Sequence, residues 1–274
     1  MKLLQWNIQW CRGMDGRVDP ARIARTAREL CDPDVCCFQE VAVNYPDLGA
    51  GHDQAALLAG LFPGYSAHFA PAVDTPDGKS GRKQFGNLLL SRLPVRQVFR
   101  HSLPWPAQAG VPSMPRVALE AVIEAPWGLV GVTTTHLEYY SDAQRAAQVA
   151  RLCELKAEAH AHSATPPAGK ERDSGPFTPF ARAASSILTG DFNMRADDPS
   201  AAKLRKVWTD AWMASHPGKP HAPTFCLFDN TYAKEPYCCD FVFVTPDLVP
   251  RIETVRADLE TKASDHQPVI VSFR

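Results

Sequence analysis

What the sequence is short of narrows its function before any motif is read. Among 274 residues, Lys and Arg number 29 and Asp and Glu 30, for a formal net charge of -1. No global positive field draws such a chain onto nucleic acid, although a local basic cleft stays open. The obvious basic clusters are small: Lys79 with Arg82-Lys83, and Lys203 with Arg205-Lys206. No apolar run approaches the roughly 20 residues of a membrane span, so integral membrane association is not expected. No GxGxxG or GxxxxGK(S/T) segment is present, which removes Rossmann and P-loop nucleotide binding. The opening Met1-Lys2-Leu3-Leu4-Gln5-Trp6-Asn7 turns polar too quickly for a secretion signal and reads as a strand. The eight cysteines include no CxxC pair with zinc spacing. Cys36-Cys37 and Cys238-Cys239 are adjacent pairs inside apolar strand patterns, where neighbours point to opposite faces. Reduced, buried thiols and a cytoplasmic setting are expected.

What is present is an ordinary globular balance, 45% hydrophobic and 22% charged. A chain of this length can bury a sizeable core without covalent staples. Apolar strands alternate with helical stretches. A strand at 3–8 leads to Asp19-Pro20, an N-cap followed by proline in the first helical turn, with Ile23, Ala27, Leu30 and Cys31 at helical spacing. The pattern predicts a short buried strand at 35–38 that delivers Gln39-Glu40 at its exit, then a helix at 55–61. Strands follow at 87–91, 95–99, 117–124 and 129–135. Ser141 and Gln144 form a capping-box pattern opening a helix to about residue 160. Residues 163–182 carry prolines, glycines and charges without a period and read as a surface loop. A strand at 186–189, a helix at 199–206 and strands at 241–244 and 269–273 complete the chain. No linker separates the motifs, so one domain spanning 1–274 is expected.

Polar residues gather beside these strands. Asn7 follows the first, Glu40 the second, His136 a central one, and Asp191 and Asn193 the strand at 186–189. Strand ends let polar groups converge on a rigid frame. Asp265 and His266 precede the last strand and reach the same rim only if it runs the opposite way, which implies a mixed sheet. Oxygen donors suit Mg2+, Mn2+ or Ca2+, whereas a soft metal would want cysteine or several histidines. Histidines beside hard-cation carboxylates fit phosphoryl chemistry, the cation neutralising phosphate oxygens while imidazole donates to them or handles a proton. Asp240 lies within the apolar Cys239-Asp240-Phe241-Val242-Phe243, where an unpaired carboxylate would be costly; His266 is a suitable partner. Asn87 and Arg116 are candidate substrate contacts. Trp6 reads as core, Trp105 as a packed loop aromatic, and Cys11 and Cys226 as packing residues.

In order, Trp6-Asn7, Gln39-Glu40, Gly86-Asn87 with Leu90-Ser91-Arg92-Leu93-Pro94, Thr135-His136-Leu137, Gly190-Asp191-Phe192-Asn193, Cys239-Asp240-Phe241-Val242-Phe243 and Ser264-Asp265-His266 resemble the endonuclease/exonuclease/phosphatase superfamily. That group includes pancreatic-type deoxyribonucleases, abasic-site endonucleases, inositol polyphosphate phosphatases and bacterial sphingomyelinases. The resemblance implies a four-layer α/β sandwich with two central mixed sheets flanked by helices. It implies Asn7 and Glu40 as metal ligands with Asp265 close to the metal, and Asp191 orienting or deprotonating the attacking water. It implies Asn193 on a phosphate oxygen and His266, paired with Asp240, as the phosphate-binding or acid/base imidazole. His136 is similar to the deoxyribonuclease and sphingomyelinase branches; the abasic-site branch has tyrosine there, and Gln9 stands where it often has aspartate. The expected activity is metal-dependent hydrolysis of a phosphodiester or phosphomonoester by activated water. A nuclease is the narrower alternative, and a silent phosphate-recognising module is disfavoured because the full set of groups is present. The loops at 70–83, 101–115 and 163–182 would shape the substrate choice, and no obligate protein partner is expected.

Overall fold

The first strand shows how the sequence builds layers. In a computed structural model, which describes residues 1–78, 80–165, 175, 176, 178, 180 and 182–274, β1 (Lys2–Asn7) sends Leu4 and Trp6 to one face and Leu3 to the other. Leu4 and Trp6 pack with Ile23, Ala24 and Ala27 of α1 (Pro20–Cys31), whose first turn is capped by Asp19 accepting from the Arg22 N–H at 3.0 Å. Next come β2 (Val35–Val43), α2 (Gln54–Leu61), β3 (Ser66–Pro76), β4 (Arg82–Ser91), β5 (Val95–Ser102), β6 (Val117–Ala125) and β7 (Gly128–His136). The chain continues with α3 (Asp142–Ala164), β8 (Ser185–Asp191), α4 (Pro199–Leu204), β9 (Thr209–Asp210), α5 (Ala211–Ser215), β10 (Asp240–Val244), β11 (Ile252–Ala257) and β12 (Val269–Phe273).

Two six-stranded mixed sheets result, in the orders β11-β12-β1-β2-β4-β3 and β5-β6-β7-β8-β10-β9. β1 and β2 are parallel, as are β7 and β8, while the other pairs are antiparallel. The sheets face each other across an apolar layer in which Leu3, Val35, Leu89 and Val271 meet Leu119, Val132, Ile187 and Val242. α1 and α2 cover the outer face of one sheet, and α3 and α4 that of the other through Val149, Leu152 and Leu204. This is the expected four-layer α/β sandwich. Cys36 packs on the helix side and Cys37 between the sheets, and all eight cysteines are free thiols. Among the described residues no helix is long and apolar enough to cross a membrane.

Several local expectations change. β2 does not stop at Phe38: it continues to Val43 through a bulge between Phe38 and Val41, so Gln39-Glu40 sit inside the strand. A bulge re-aims side chains while the pairing resumes beyond it. β3 and β11 carry too little apolar alternation to be seen in the sequence, because each is an edge strand with one flank unpaired. Ser141 does cap α3, but Gln144 turns away from the reciprocal half of the box and donates to the Pro106 carbonyl at 2.8 Å. α4 ends at Leu204, two residues early. Of the loop expected at 163–182, residues 166–174, 177, 179 and 181 lie outside the described residues, as does Lys79.

Candidate active site

Sheet register brings the polar residues together. His136 at the end of β7 pairs with Asp191 at the end of the parallel β8, and Asp191 faces Asp240 at the start of the antiparallel β10. In the other sheet, Asn7 ends β1 and the turn 264–266 leads into the antiparallel β12. That turn is tied down by Ser264 Oγ donating to the Asn7 carbonyl at 2.8 Å and Trp6 Nε1 donating to the His266 carbonyl at 2.9 Å. Gly190 makes the close approach of β7 and β8 possible: at φ 153°, a Cβ there would overlap the Thr135 carbonyl.

Glu40 reaches the same place from the β2 bulge, in a left-handed conformation at φ 57°. A non-glycine residue held there costs about 1 kcal/mol, an expense typical of functional positions. Gln9, Trp10 and Cys11 form a left-handed run at φ 43°, 43° and 61°. The run is braced by the Gln9 N–H donating to Asn7 Oδ1 at 3.1 Å and Gln54 Nε2 donating to the Trp10 carbonyl at 2.6 Å. It places Gln9 Nε2 on Asp265 Oδ2 at 2.7 Å, a hydrogen bond where a carboxylate would have repelled.

Within the site Asn7 Nδ2 donates to Glu40 Oε1 at 2.9 Å and Asp191 Oδ2 at 3.0 Å. Asn7 Oδ1 is held by Gln9, and its nitrogen braces the two carboxylates. Asp191 Oδ1 accepts from the Asn193 N–H at 2.9 Å, and Asn193, left-handed at φ 50°, donates its amide to the Leu137 carbonyl at 2.9 Å. His136 Nε2 and His266 Nε2 lie 3.5 and 3.7 Å from Asp191 Oδ2. On its far side His266 Nδ1 is 2.9 Å from Asp240 Oδ2, and the Phe225 ring stacks on the imidazole at 4.4 Å.

The two histidines are in opposite electrostatic situations. Burial, assisted by the Arg116 charge, pushes His136 down to about 3, so its imidazole is neutral. Burial acts the same way on His266, but the Asp240 and Asp191 carboxylates on either side overcome it and hold the ring well above the ordinary histidine range. Burial and the nearby Asp265 charge push Glu40 up to about 7; burial also raises Asp265. Carboxylates gathered this closely, presenting oxygen donors, suit a hard divalent cation. Glu40, His136 and Asp191 offer donor atoms within 4.8 Å of one another.

Gln9, Glu40, His136, Asp191, Asn193, Phe225, Asp265 and His266 line one open cleft of about 560 Å³, and Asn7 and Asp240 stand behind it. Arg116 lines it too, 6% exposed and 3.5 Å from Glu138, with Nη1 buried and unpartnered. Asn87 does not line it. Its amide donates to the Val117 carbonyl of the facing sheet at 3.0 Å, so its work is to join the sheets, contrary to the expected substrate contact. Two features carried no sequence signal. Phe225 lies in a stretch without a period. Beneath the site, Gln5, Gln39, Thr134 and Thr189 form a buried network: Gln39 Nε2 donates to Gln5 Oε1 at 2.9 Å and Thr134 Oγ1 at 2.8 Å, Thr189 Oγ1 to Gln5 Oε1 at 3.3 Å, and Gln5 Nε2 to Asp240 Oδ1 at 3.4 Å.

A comparison with protein families matches residues 4–266 to the family model described as Endonuclease/Exonuclease/phosphatase family. The chain belongs to this family. Solved structures with the same fold include an endonuclease/exonuclease/phosphatase from Beutenbergia cavernae DSM 12333, at 24% identity and TM-score 0.70, covering 99% of this chain and 70% of that one. The mannosyl-6-phosphatase Bt3783 of Bacteroides thetaiotaomicron VPI-5482 is 17% identical with TM-score 0.67, over 100% and 99% of the two chains. The human Nocturnin catalytic domain, solved with sulfate, is 18% identical with TM-score 0.66, over 100% and 93%. No significant match is found among curated protein sequences. Endonuclease/exonuclease/phosphatase family members are generally phosphoester hydrolases and commonly use divalent metals, and the carboxylate-rich donor set of this cleft fits that chemistry.

If Glu40 is placed to meet a cation, it should weaken the metal-free protein. A carboxyl whose pKa is higher folded than unfolded holds its proton more tightly when folded. Its stabilising share is therefore full below the unfolded value and is lost as pH rises through about 7. In chelator at about pH 8, Glu40→Gln should melt several degrees above the unaltered protein, and the gap should close near pH 4.5. Added Mg2+ or Mn2+ should raise only the unaltered protein. Scanning fluorimetry across pH, with and without the ion, reads all three outcomes.

Proposed function

We propose that the chain is a metal-dependent phosphoesterase that hydrolyses a phosphate ester with an activated water, acting as one unit over residues 1–274. The observation that carries this reading is the convergence in one cleft of Glu40, Asp191 and Asp265 with His136, His266 and the buried Arg116. Glu40 and Asp265 would hold a Mg2+ or Mn2+ ion, braced by Asn7 and Gln9. When bound, the ion would supply charge neutralisation on the phosphate oxygens.

The residues divide the remaining work. Asp191, fixed by Asn7 and the Asn193 N–H, takes the proton of the attacking water. His266, kept positively charged by Asp240, donates to a phosphate oxygen, and Phe225 keeps its ring in one plane. His136 donates as a neutral group. The unpartnered Nη1 of Arg116 and the second amide hydrogen of Asn193 are further phosphate donors. Free thiols throughout support a cytoplasmic setting.

The test is release of product from a panel of plasmid DNA, single-stranded DNA, RNA, bis(4-nitrophenyl) phosphate and sugar phosphates, with Mg2+ or Mn2+ and with chelator. Turnover abolished by chelator and restored by the ion is expected. Absence of metal-dependent turnover across the panel would overturn the reading, and cleavage of nucleic acid alone would narrow it to a nuclease.

A further inference from the structure

Beyond the reacting groups, the cleft is built from flat apolar side chains. Tyr45 and Phe85 meet edge to face at 6.4 Å and Tyr139 and Tyr140 at 4.8 Å, and both pairs line it together with Met114 and Tyr232. Tyr140 and Tyr232, each 58% exposed, are the most exposed large apolar side chains among the described residues, and both stand on this cleft. Aromatic rings left in water around a concavity mark a binding surface, because folding alone gives them nothing to cover.

Charge limits what the wall receives. The residues lining the cleft include four carboxylates, Glu40, Glu138, Asp191 and Asp265, against two cationic side chains, Arg116, which Glu138 already faces, and His266, which Asp240 backs. The nearby Lys83 ammonium lies 5.4 Å over the Tyr45 ring and is not itself among the lining groups. A polynucleotide brings several phosphates and needs several cations along its path. A phosphomonoester dianion also brings more negative charge than a diester. The cavity of about 560 Å³ lies in the range that encloses a small organic molecule.

Resting on the phosphoesterase reading, we infer that the substrate is a small, singly charged phosphodiester in which one ester arm is an uncharged aromatic or similarly flat apolar group. The diester phosphorus sits over Asp191 and His266, and the apolar arm lies against the aromatic wall formed by Tyr45, Phe85, Tyr139, Tyr140 and Tyr232. Hydrolysis breaks one P–O ester bond and forms a P–O bond to water; of the water's two protons, the one taken by Asp191 passes to the departing alcohol or phenol and the other stays on the new phosphomonoester.

Two substrates with one leaving group isolate the arm that stays behind: phenyl 4-nitrophenyl phosphate and methyl 4-nitrophenyl phosphate, assayed with Mn2+. After division by the uncatalysed rates, kcat/KM should favour the phenyl diester about tenfold or more, the value of burying an aromatic face. Tyr140→Ala and Tyr232→Ala should each bring that ratio toward one. A short single-stranded oligonucleotide should inhibit phenyl diester hydrolysis only above that diester's KM. A ratio within about twofold of one, or tight inhibition by the oligonucleotide, overturns the inference and leaves the phosphoesterase reading intact. If neither diester is turned over in an Asp191-dependent way, the inference falls, and the panel with sugar phosphates decides the phosphoesterase reading.

Discussion

Asp191→Asn should lower kcat by about 100- to 10,000-fold, the range set by losing a positioned proton acceptor. The exchange conserves shape and removes the charge. Both carboxylate oxygens are occupied by donors, Asn7 Nδ2 at 3.0 Å and the Asn193 N–H at 2.9 Å, so the carboxylate is held in one orientation before substrate arrives. An amide in its place must turn its own NH2 toward one of those donors, and it cannot take a proton from water. The loss should fall on kcat with KM nearly unchanged, because the group acts on water. Far-UV circular dichroism should match the unaltered protein, since Asp191 lies at the end of β8 and its strand pairing is made by the backbone. Turnover within a few-fold of the unaltered enzyme would remove Asp191 from the proposed role.

The second large effect is expected at a residue outside the cleft. Asp240→Asn should reduce kcat about 100-fold or more, although Asp240 lies behind His266 and is 2% exposed. The Asp240 carboxylate fixes Nδ1 of His266 at 2.9 Å and helps hold the ring above the ordinary histidine range. A function that requires protonated imidazole is present below the ring's pKa and lost above it. Removing the Asp240 charge lowers that pKa, so the alkaline limb of the rate profile should move to lower pH. A purely structural role for Asp240 would reduce active protein without moving the limb; the full pH profile of kcat separates the two.

The sequence revealed this arrangement unevenly, for physical reasons. Central strands are buried on both faces, so β1, β6, β7 and β10 stand out as apolar runs, and the Asp-Pro caps of α1 and α4 mark their starts. Charged and amide residues attached to those runs led to Asn7, Glu40, His136, Asp191, Asn193, Asp265 and His266, which the fold gathers on one rim. Hidden from view were features that depend on partners distant in the chain. The β2 bulge depends on β4; Phe225 becomes notable only through His266; and Asn87 joins the sheets because Val117 lies opposite. Gln5 alternates with leucine and tryptophan like any strand residue, and nothing local shows that it contacts Gln39 and Asp240. The cleft's tyrosines come from loops whose paths no periodicity encodes.

The buried amide and hydroxyl groups beneath the site have a mechanical consequence. Glu40 lies in one sheet and Asp265 in the turn that enters it, Asp191 and Asp240 lie in the other sheet, and the His266–Asp240 hydrogen bond crosses between them. An apolar layer tolerates lateral slip, because dispersion contacts are non-directional. Gln5, Gln39, Thr134 and Thr189 interlock by directional bonds that a shift of an ångström would break. They act as a gauge block between two plates, setting the width of the reaction gap.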